Sequence, residues 1–405
     1  MERVETVIIG GGQAGLVMSY HLHRLGREHV IVERARVAER WRTQRWDSLM
    51  FQFPNWSINL PGQSYAGDDP DGFSHKDQIV KFLEDYCESI AAPLRTGVTV
   101  CSLRAASRAG RYVLVTDHGE LEARNVVIAT GPYQRPNIPR LSSGCPVHVF
   151  QTHASEYRNA AALPTGAVLV VGSGASGCQI AEELLEAGRR VYLCVGRHRR
   201  APRRYRGRDV FWWRRELGHL DLTAEATPKD RRTPGLLLTG TNGGHAVNLR
   251  QFAARGMTLL GHLRAIHESR IALDSDLEDN LRAGDQACDE FKGDVDDYVT
   301  RMGIDAPRLP GDAVQPRESQ ESIGEIDVRA SAISSVIWAT GYALDFGWVE
   351  LPIFDELGEP VHRRGITPVP GVYVLGLAWL HKRKSSFLYG VGEDAEYLAE
   401  RIHRA

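Results

Sequence analysis

The 405-residue sequence predicts an α/β fold with two Rossmann-like dinucleotide-binding domains, the second inserted into the first. Three observations support this prediction. A strand-like apolar run leads into a glycine-rich turn twice, as VIIGGGQAG at residues 7–15 and as VLVVGSGASG at residues 168–177. In both places a helical pattern follows, and a second strand-like run closes a unit of about thirty residues. The apolar runs VVIATG at residues 126–131 and VIWATG at residues 336–341 flank the second unit.

The first glycine-rich turn has the spacing of a phosphate cradle. Gly10 permits a tight turn, Gly12 allows the backbone to approach a pyrophosphate, and Gly15 allows the helix to pack closely on the strand. The helix N-terminus offers free N–H groups and the positive end of its dipole. Glu33 ends the second strand, where a carboxylate can accept hydrogen bonds from both ribose hydroxyls. Because the adenosine ribose of FAD has free hydroxyls, we expect this site to bind FAD.

The second turn repeats the arrangement, and its cradle residues are expected to be Gly172, Gly174, Ser176 and Gly177. The position equivalent to Glu33 is occupied by the apolar Val195, and Arg197 follows two residues later. A guanidinium binds a ribose 2′-phosphate with paired charge-assisted hydrogen bonds, whereas a carboxylate repels it. We therefore expect this site to bind NADPH, as the electron donor for the flavin. Arg199 and Arg200 either extend the same pocket or are solvated.

These assignments predict the domain boundaries. The FAD-binding domain is expected to comprise residues 1–150 and 326–405, with the NADPH-binding domain at residues 151–325 between them. The crossings, near residues 132–165 and 310–335, are rich in Pro, Gly, Ser or charged residues, as linkers tend to be.

Composition excludes several other classes of protein. The chain is 42% hydrophobic and 25% charged, which is typical of a soluble globular protein. No apolar run approaches the roughly 20 residues that span a bilayer, and no signal peptide is visible, so a cytoplasmic location without membrane contact is expected. The six cysteines contain no Cys-x-x-Cys pair. We therefore expect neither a disulfide framework nor a metal site.

Two stretches of opposite charge stand out. Residues 197–215 contain nine arginines, and residues 274–297 contain ten acidic residues. Apolar residues from Leu281 to Met302 recur at helical spacing, which predicts a helix with its acidic residues facing water. The arginine stretch directly follows a nucleotide-binding unit and alternates with aromatic residues and Pro. It does not form an amphipathic helix, so we do not expect nucleic-acid binding.

The order and spacing of these motifs resemble the flavin-containing monooxygenases over about residues 4–400. The likeness extends to Trp41 and to RWDSLMFQFPNWSINLPG at residues 45–62, which resembles the flavin-facing segment of that family. Gln52 stands where the family usually has Asn, and the resemblance implies that its side chain reaches toward the flavin and its oxygen adduct. The expected cofactor-binding residues further include Trp41, Val100, Thr130, Gly131 and Gly341.

The family fingerprint is altered in this sequence. At residues 147–157, VHVFQTHASEY keeps His153 and Tyr157 but has Val147 and Val149 in place of Phe and Gly. For His153, a structural role in the crossing between the domains and a chemical role both remain open.

The resemblance implies an FAD-dependent, NADPH-driven monooxygenase. Such an enzyme transfers one oxygen atom from a C4a-hydroperoxyflavin to a small organic substrate, most readily at a nucleophilic nitrogen or sulfur atom. The expected partners are this substrate and O2, and a homodimer is left open. Two alternatives also remain: a Baeyer–Villiger-type oxygenation of a ketone, and an NADPH oxidase or redox sensor that transfers no oxygen. A disulfide reductase is disfavoured because the sequence has no redox cysteine pair.

Two segments are candidates for the wall of the substrate site. They are VFWWRR at residues 210–215 and the loop TGTNGGH at residues 239–245. Core packing explains Trp212 and Trp213 equally well.

Overall fold

The computed structural model describes residues 1–227, 234–309 and 318–405. The described helices are α1 Gln13–Arg24, α2 Glu39–Thr43, α3 Lys76–Ser89, α4 Ala175–Glu186, α5 Val210–Glu216, α6 Leu249–Ala254, α7 Leu277–Met302 and α8 Val391–Arg404. The described strands are β1 Glu2–Ile9, β2 His29–Glu33, β3 Asn59–Leu60, β4 Gln63–Ser64, β5 Leu94–Thr96, β6 Val100–Ala105, β7 Tyr112–Thr116, β8 Gly119–Ile128, β9 Arg135–Pro136, β10 Phe150–His153, β11 Ala167–Val171, β12 Val191–Cys194, β13 Arg199–Arg200, β14 Arg204–Tyr205, β15 Arg208–Asp209, β16 Leu236–Leu237, β17 Thr258–Leu260, β18 Leu263–His267, β19 Arg270–Leu273, β20 Glu325–Asp327, β21 Ile333–Trp338, β22 Tyr342–Ala343 and β23 Val372–Val374.

Both predicted βαβ units are present. In the first, β1 pairs in parallel with β2 across α1, and in the second, β11 pairs in parallel with β12 across α4. Strands β11 and β12 are buried throughout, and β1 and β2 are apolar and buried over most of the length that leads to the turn, as parallel strands between layers of helices require. Each helix is followed by a glycine in the left-handed region, Gly26 at φ 65° and Gly188 at φ 76°. These glycines stop the helices and turn the chain into the next strand.

The first sheet has the strand order β5–β2–β1–β8–β7–β6, with β23 beside β8. The strands β5, β2, β1, β8 and β23 run parallel, whereas β6 and β7 form an antiparallel extension. The long strand β8 belongs to both the antiparallel and the parallel part of the sheet. Its residues 119–123 pair with β7, and its residues 126–128 pair with β23. The C-terminal part of the chain therefore returns to the sheet in which the N-terminal part begins.

The second sheet is entirely parallel, with the order β10–β21–β11–β12–β17. Its strands lie between β8 and β23 along the chain, so the predicted insertion of the second domain into the first is confirmed. The predicted boundary at residue 326 is wrong. Strand β20 pairs with β19, and β21 pairs with β10 and β11, so the chain leaves the second domain only after Trp338. Of the predicted crossing, residues 310–317 lie outside the described residues.

Helix α7 packs against both domains. Leu277 and Leu281 belong to the core around the second sheet, whereas Phe291, Val295 and Val299 belong to the core of the first. The predicted apolar face of this helix is confirmed over most of its length. Within residues 1–227, 234–309 and 318–405, no helix is long and apolar enough to cross a bilayer.

The arginine-rich and acidic stretches pair with each other. Arg200 Nη2 lies 2.6 Å from Asp285 Oδ1, and Arg206 Nε lies 2.6 Å from Asp296 Oδ1. Asp285 is only 2% exposed. The expectation that the acidic residues of α7 face water is therefore wrong for these two, because the arginines cover that side of the helix. The carboxylate of Asp285 neutralises the charge of Arg200, and neither residue lines the predicted nucleotide pocket.

Candidate cofactor and active site

A cavity of about 610 Å³, here called the first cavity, opens at the carboxyl ends of β1, β2 and β8. This edge of a parallel sheet is where α/β proteins bind their ligands. The lining includes most of the residues expected at the FAD site, namely Gly10, Gly12, Glu33, Trp41, Gln52, Val100, Thr130 and Gly131. The strand ends therefore bring together residues that lie far apart in the sequence.

The three glycines of the first turn have different roles. Gly10 has a φ of 114°, and a Cβ atom there would lie 2.7 Å from the carbonyl oxygen of Ala129. A Cβ atom on Gly15 would lie 1.9 Å from the carbonyl oxygen of Gly10. Gly12 differs, because its φ of −87° and ψ of −174° suit any residue and no atom lies within 4 Å of a Cβ built there. The fold needs glycine at positions 10 and 15. At Gly12 it leaves open space that fits the pyrophosphate of FAD.

The second turn has the same division of roles. Gly172 has a φ of 106°, and its Cβ would lie 2.6 Å from the carbonyl oxygen of Ala339. A Cβ atom on Gly177 would lie 1.9 Å from the carbonyl oxygen of Gly172, and Gly177 lines neither cavity. Gly174 has ordinary backbone angles and no atom within 4 Å of its Cβ position. A second cavity of about 510 Å³ opens here, and its lining includes Gly172, Gly174 and Arg197. This open space fits a second dinucleotide.

Glu33 is held in place at the end of β2. Its Oε2 accepts a hydrogen bond from Gly11 N at 2.7 Å, and its Oε1 accepts one from Ala35 N at 2.9 Å. Each carboxylate oxygen can accept a further hydrogen bond. Glu33 therefore stabilises the glycine-rich turn and keeps acceptor capacity for ribose hydroxyls.

The second cavity contains one exposed cation and one carboxylate. Arg197 makes no ion pair within the part of the chain that the structure describes. Asp276 Oδ1 accepts a hydrogen bond from His262 N at 2.9 Å, and its Oδ2 accepts from His262 Nδ1 at 2.7 Å and from Asn280 Nδ2 at 2.9 Å. Burial alone would raise the pKa of Asp276, but these hydrogen bonds hold it below its ordinary value. Sequence reasoning missed this carboxylate because it begins a helix about a hundred residues after the turn.

Helix α4 connects the two cavities. Ser173 and Gly174 line the second cavity, whereas Ala175, Ser176 and Gln179 line the first. Ser176, expected in the second cradle, therefore lies at the first cavity. Its spacing from Gln179, three residues on a helix, places both on one face, and this spacing could have identified Gln179 from the sequence.

Gln179 is a polar residue that the sequence analysis did not single out. Its Nε2 donates a hydrogen bond to Leu238 O at 2.8 Å. Its Oε1 is buried and has no hydrogen bond within residues 1–227, 234–309 and 318–405. A buried acceptor without a partner costs free energy, and a bound ligand with an N–H group would remove that cost.

Gly341 and His153 form part of the crossing between the domains. Gly341 lines neither cavity, so its expected cofactor contact has no support in the geometry. Its carbonyl oxygen accepts hydrogen bonds from His153 Nε2 and Asn137 N, both at 3.0 Å. His153 Nδ1 accepts from Ser155 N at 3.1 Å, and burial lowers the pKa of His153 and favours the neutral ring. His153 is thus a structural residue of the crossing.

Gln52 is held by its backbone and keeps its side chain free. Its carbonyl oxygen accepts a hydrogen bond from Arg203 Nη1 at 2.8 Å. The rings of its neighbour Phe53 and of Phe211 are stacked with centroids 4.4 Å apart. Gln52 is one of the residues that line the first cavity, and its side-chain amide makes no hydrogen bond to any residue that the structure describes. It is therefore available to a ligand in this cavity.

Three arginines, Arg34, Arg40 and Arg45, line the first cavity together with the carboxylates of Glu33, Glu39 and Asp345. Burial and the charges of Arg34 and Arg45 lower the pKa of Arg40 to about 10. The guanidinium of Arg45 lies 5.2 Å from the ring centroid of Tyr133 and 5.5 Å from that of Trp41. The arginines can pair with anionic groups of a ligand.

The two segments expected to form the substrate wall line neither cavity. Trp213 is fully buried, and its Nε1 donates to Tyr205 O at 2.7 Å. The 239–245 loop packs on the flavin-facing segment, since a Cβ atom on Gly240 would lie 2.2 Å from Phe51 O. These segments pack against residues that line the cavity and do not line it themselves.

Comparisons with known proteins agree with this geometry. A family model described as pyridine nucleotide-disulphide oxidoreductase matches residues 7–210. An oxidoreductase named CzcO-like from Geobacillus kaustophilus is 34% identical over 402 residues, which cover 98% of this chain and 98% of the relative. The chain belongs to this oxidoreductase family. It is accordingly a flavin-dependent enzyme, and the expected cofactors FAD and NADPH are those of the family.

Two further matches concern monooxygenases. Rice indole-3-pyruvate monooxygenase YUCCA1 is 31% identical over 206 residues, 48% of this chain and 49% of that protein. The structure of a flavin-containing monooxygenase from Stenotrophomonas maltophilia is 19% identical, with a TM-score of 0.66 over 100% of this chain and 99% of that one. The predicted resemblance to flavin-containing monooxygenases is thus confirmed for the fold.

The cysteines distinguish this chain from what the name of the family model suggests. All six lie within the described residues, and among them only Cys194 lines a cavity, the second one. Burial raises the pKa of Cys194 to about 12, which keeps the thiol protonated and unreactive. No cysteine among the described residues lines the first cavity, so none of them could exchange with a disulfide bound there.

Proposed function

We propose that this oxidoreductase uses NADPH and O2 to transfer one oxygen atom to a nucleophilic nitrogen or sulfur atom of a small substrate. The observation that carries the proposal is the composition of the first cavity. Residues of both βαβ units line it, whereas none of the described cysteines does. FAD supplies the activation of O2 and NADPH supplies the hydride. Electrons that reach this cavity meet no thiol acceptor among the described residues, which supports O2 as the acceptor.

The residues of the chain would share this work as follows. The space at Gly12 and the carboxylate of Glu33 would hold FAD, and the space at Gly174 and the guanidinium of Arg197 would hold NADPH. The Gln52 amide would donate a hydrogen bond where negative charge develops during oxygen transfer. The walls of the cavity would exclude water, which favours oxygen transfer over release of peroxide.

A ketone or 2-oxo acid is the second candidate substrate class. Arg40 and Arg45 line the first cavity and could pair with a substrate carboxylate. The rice relative that matches half of the chain is named for indole-3-pyruvate, a 2-oxo acid. This observation favours Baeyer–Villiger-type or related carbonyl chemistry as the alternative to nitrogen or sulfur oxygenation.

Oxygen-isotope labelling tests the proposal. The enzyme is incubated with NADPH and ¹⁸O2 and a panel of amines, sulfides, ketones and 2-oxo acids. We expect one labelled oxygen atom in at least one amine or sulfide, and a matching fall in hydrogen peroxide per NADPH oxidised. A labelled ester or acid from a carbonyl compound alone would favour the second candidate. If hydrogen peroxide accounts for all NADPH with every compound, the protein is an NADPH oxidase.

Arg197 is expected to set the preference for NADPH over NADH. Its charge is not compensated within the described residues, whereas Asp276 is held by three hydrogen bonds. Loss of a charge-assisted contact in Arg197→Ala should raise the KM for NADPH about 10- to 100-fold with little change for NADH. Stopped-flow reduction of the flavin at a series of NADPH and NADH concentrations measures the change in apparent affinity for each cofactor. The exposed Arg190, at the opposite end of β12, provides the matched control Arg190→Ala. Equal losses of apparent affinity for NADPH and NADH would assign Arg197 a structural role.

A further inference from the structure

Arg203 is a buried cation beside the flavin-facing segment. The residue is 3% exposed, and its Nε lies 2.8 Å from Oδ2 of Asp209, itself 7% exposed. Its guanidinium carbon lies 4.3 Å from the ring centroid of Phe73. Its Nη2 is buried and has no hydrogen bond within the described residues. Burying an ion pair with an unmatched N–H group costs free energy, and apolar side chains would fill the space at lower cost. A role beyond packing is therefore indicated.

The contacts of Arg203 converge on Gln52. Its Nη1 donates to Gln52 O at 2.8 Å and to Thr239 O at 3.3 Å. Thr239 begins the loop whose next residue, Gly240, lies against Phe51 O. One guanidinium thus joins the inserted domain to the segment that carries Gln52.

The partner of Arg203 fixes the other side of the same segment. Asp209 Oδ1 accepts a hydrogen bond from Phe211 N at 2.7 Å and so caps helix α5. Phe211 then stacks on Phe53 with ring centroids 4.4 Å apart. One ion pair thus contacts the carbonyl of Gln52 directly and the ring of Phe53 through Phe211, whereas the Gln52 side chain has no hydrogen-bond partner among the described residues.

We propose that Arg203, together with Asp209, is a positioning residue that orients the Gln52 amide toward the flavin in the first cavity. The inference rests on the role of Gln52 in the proposed function. It also makes a claim that does not depend on catalysis: this ion pair should order the flavin-facing segment. Lysine at position 203 keeps the charge but lacks the planar fork needed to reach Asp209, Gln52 and Thr239 at once.

Hydrogen–deuterium exchange tests whether the ion pair orders the flavin-facing segment. The amides of Phe51, Asn55 and Trp56 donate to backbone carbonyls and report on this segment. In Arg203→Lys, peptides covering residues 46–60 should exchange about tenfold faster than in the wild type. The control is Arg250→Lys, which alters another buried arginine of the inserted domain, whose side chain pairs with Asp285 at 3.0 Å and with Glu278 at 2.9 Å and with no residue of the segment. Unchanged exchange in Arg203→Lys, or an equal increase in Arg250→Lys, would overturn the proposal.

A double-mutant cycle tests the action through Gln52. The readout is the ratio of oxygenated product to hydrogen peroxide in the presence of a substrate, compared on a logarithmic scale because the peroxide yield itself is close to its maximum in Gln52→Ala. Arg203→Lys should lower this ratio in the wild type and have no further effect on it in Gln52→Ala, whereas additive effects would overturn the proposal. Asp209→Asn, which keeps the helix cap and removes the charge, should give the same results and serves if Arg203→Lys does not fold. If the wild type releases only peroxide, the proposed function fails, but the exchange experiment still decides the role of Arg203.

Discussion

Gly12→Ala is expected to yield a folded protein without flavin. The backbone angles at Gly12 suit alanine, and no atom lies within 4 Å of the new Cβ. Its stability should therefore match that of the flavin-free wild type within about 0.5 kcal/mol. The Cβ would occupy the space in which a pyrophosphate approaches the backbone, so the flavin content should fall to below about a tenth. Absorbance of the purified protein near 450 nm and its thermal unfolding measure the two effects.

The second turn and the third glycine supply matched controls. Gly174→Ala should keep its flavin, because only the second cavity is altered, but its apparent affinity for NADPH should fall at least about tenfold. Gly15→Ala should not fold, because its Cβ would lie 1.9 Å from Gly10 O. A Gly12→Ala protein with full flavin content would show that the pyrophosphate does not bind at this turn.

Gln52→Ala is expected to divert the enzyme from oxygen transfer to peroxide release. Gln52 lines the first cavity, and no described residue accepts a hydrogen bond from its amide. Removing one such donor from a site that excludes water typically slows the chemical step about 10²-fold or more. Hydrogen peroxide per NADPH should therefore approach one even with a good substrate, while the rate of flavin reduction by NADPH changes little. Peroxide assays and stopped-flow reduction measure the two quantities separately.

The conservative variant sharpens this test. The resemblance implies that Gln52→Asn keeps a working donor, because Asn is the usual residue of the family at this position. Gln52→Asn should therefore restore most of the coupling between NADPH oxidation and oxygen transfer. If Gln52→Ala remains fully coupled, the donor is another group, and Gln52 only packs against the flavin.

Local patterns in the sequence were sufficient for the fold class and for much of the site. A strand, a glycine-rich turn and a helix are contiguous, and the glycines at 10 and 15 are required by contacts within one such unit. The same holds for the second unit. The position of Glu33 also followed from the sequence, because the end of β2 lies at the same edge of the sheet as the turn.

Other features depended on contacts between distant parts of the chain. Strand β21 belongs to the second sheet because it pairs with β11, about 165 residues earlier, and no local pattern shows that partner. Asp276 reaches the second cavity by the docking of α7, and Ser176 faces the first cavity by the placement of α4 between the two.

The sequence by itself determined that this chain contains two nucleotide cradles, one acidic and one basic, because each is built from consecutive residues. Only the tertiary structure decided which side chains share a cavity and how charges are compensated. Arg197 and Arg203 belong to the same arginine-rich stretch, yet one is exposed at the second cavity and the other is buried against Asp209 behind Gln52. The physical reason is that burial and ion pairing arise when separate segments pack together, and identical residue types are then placed in different environments.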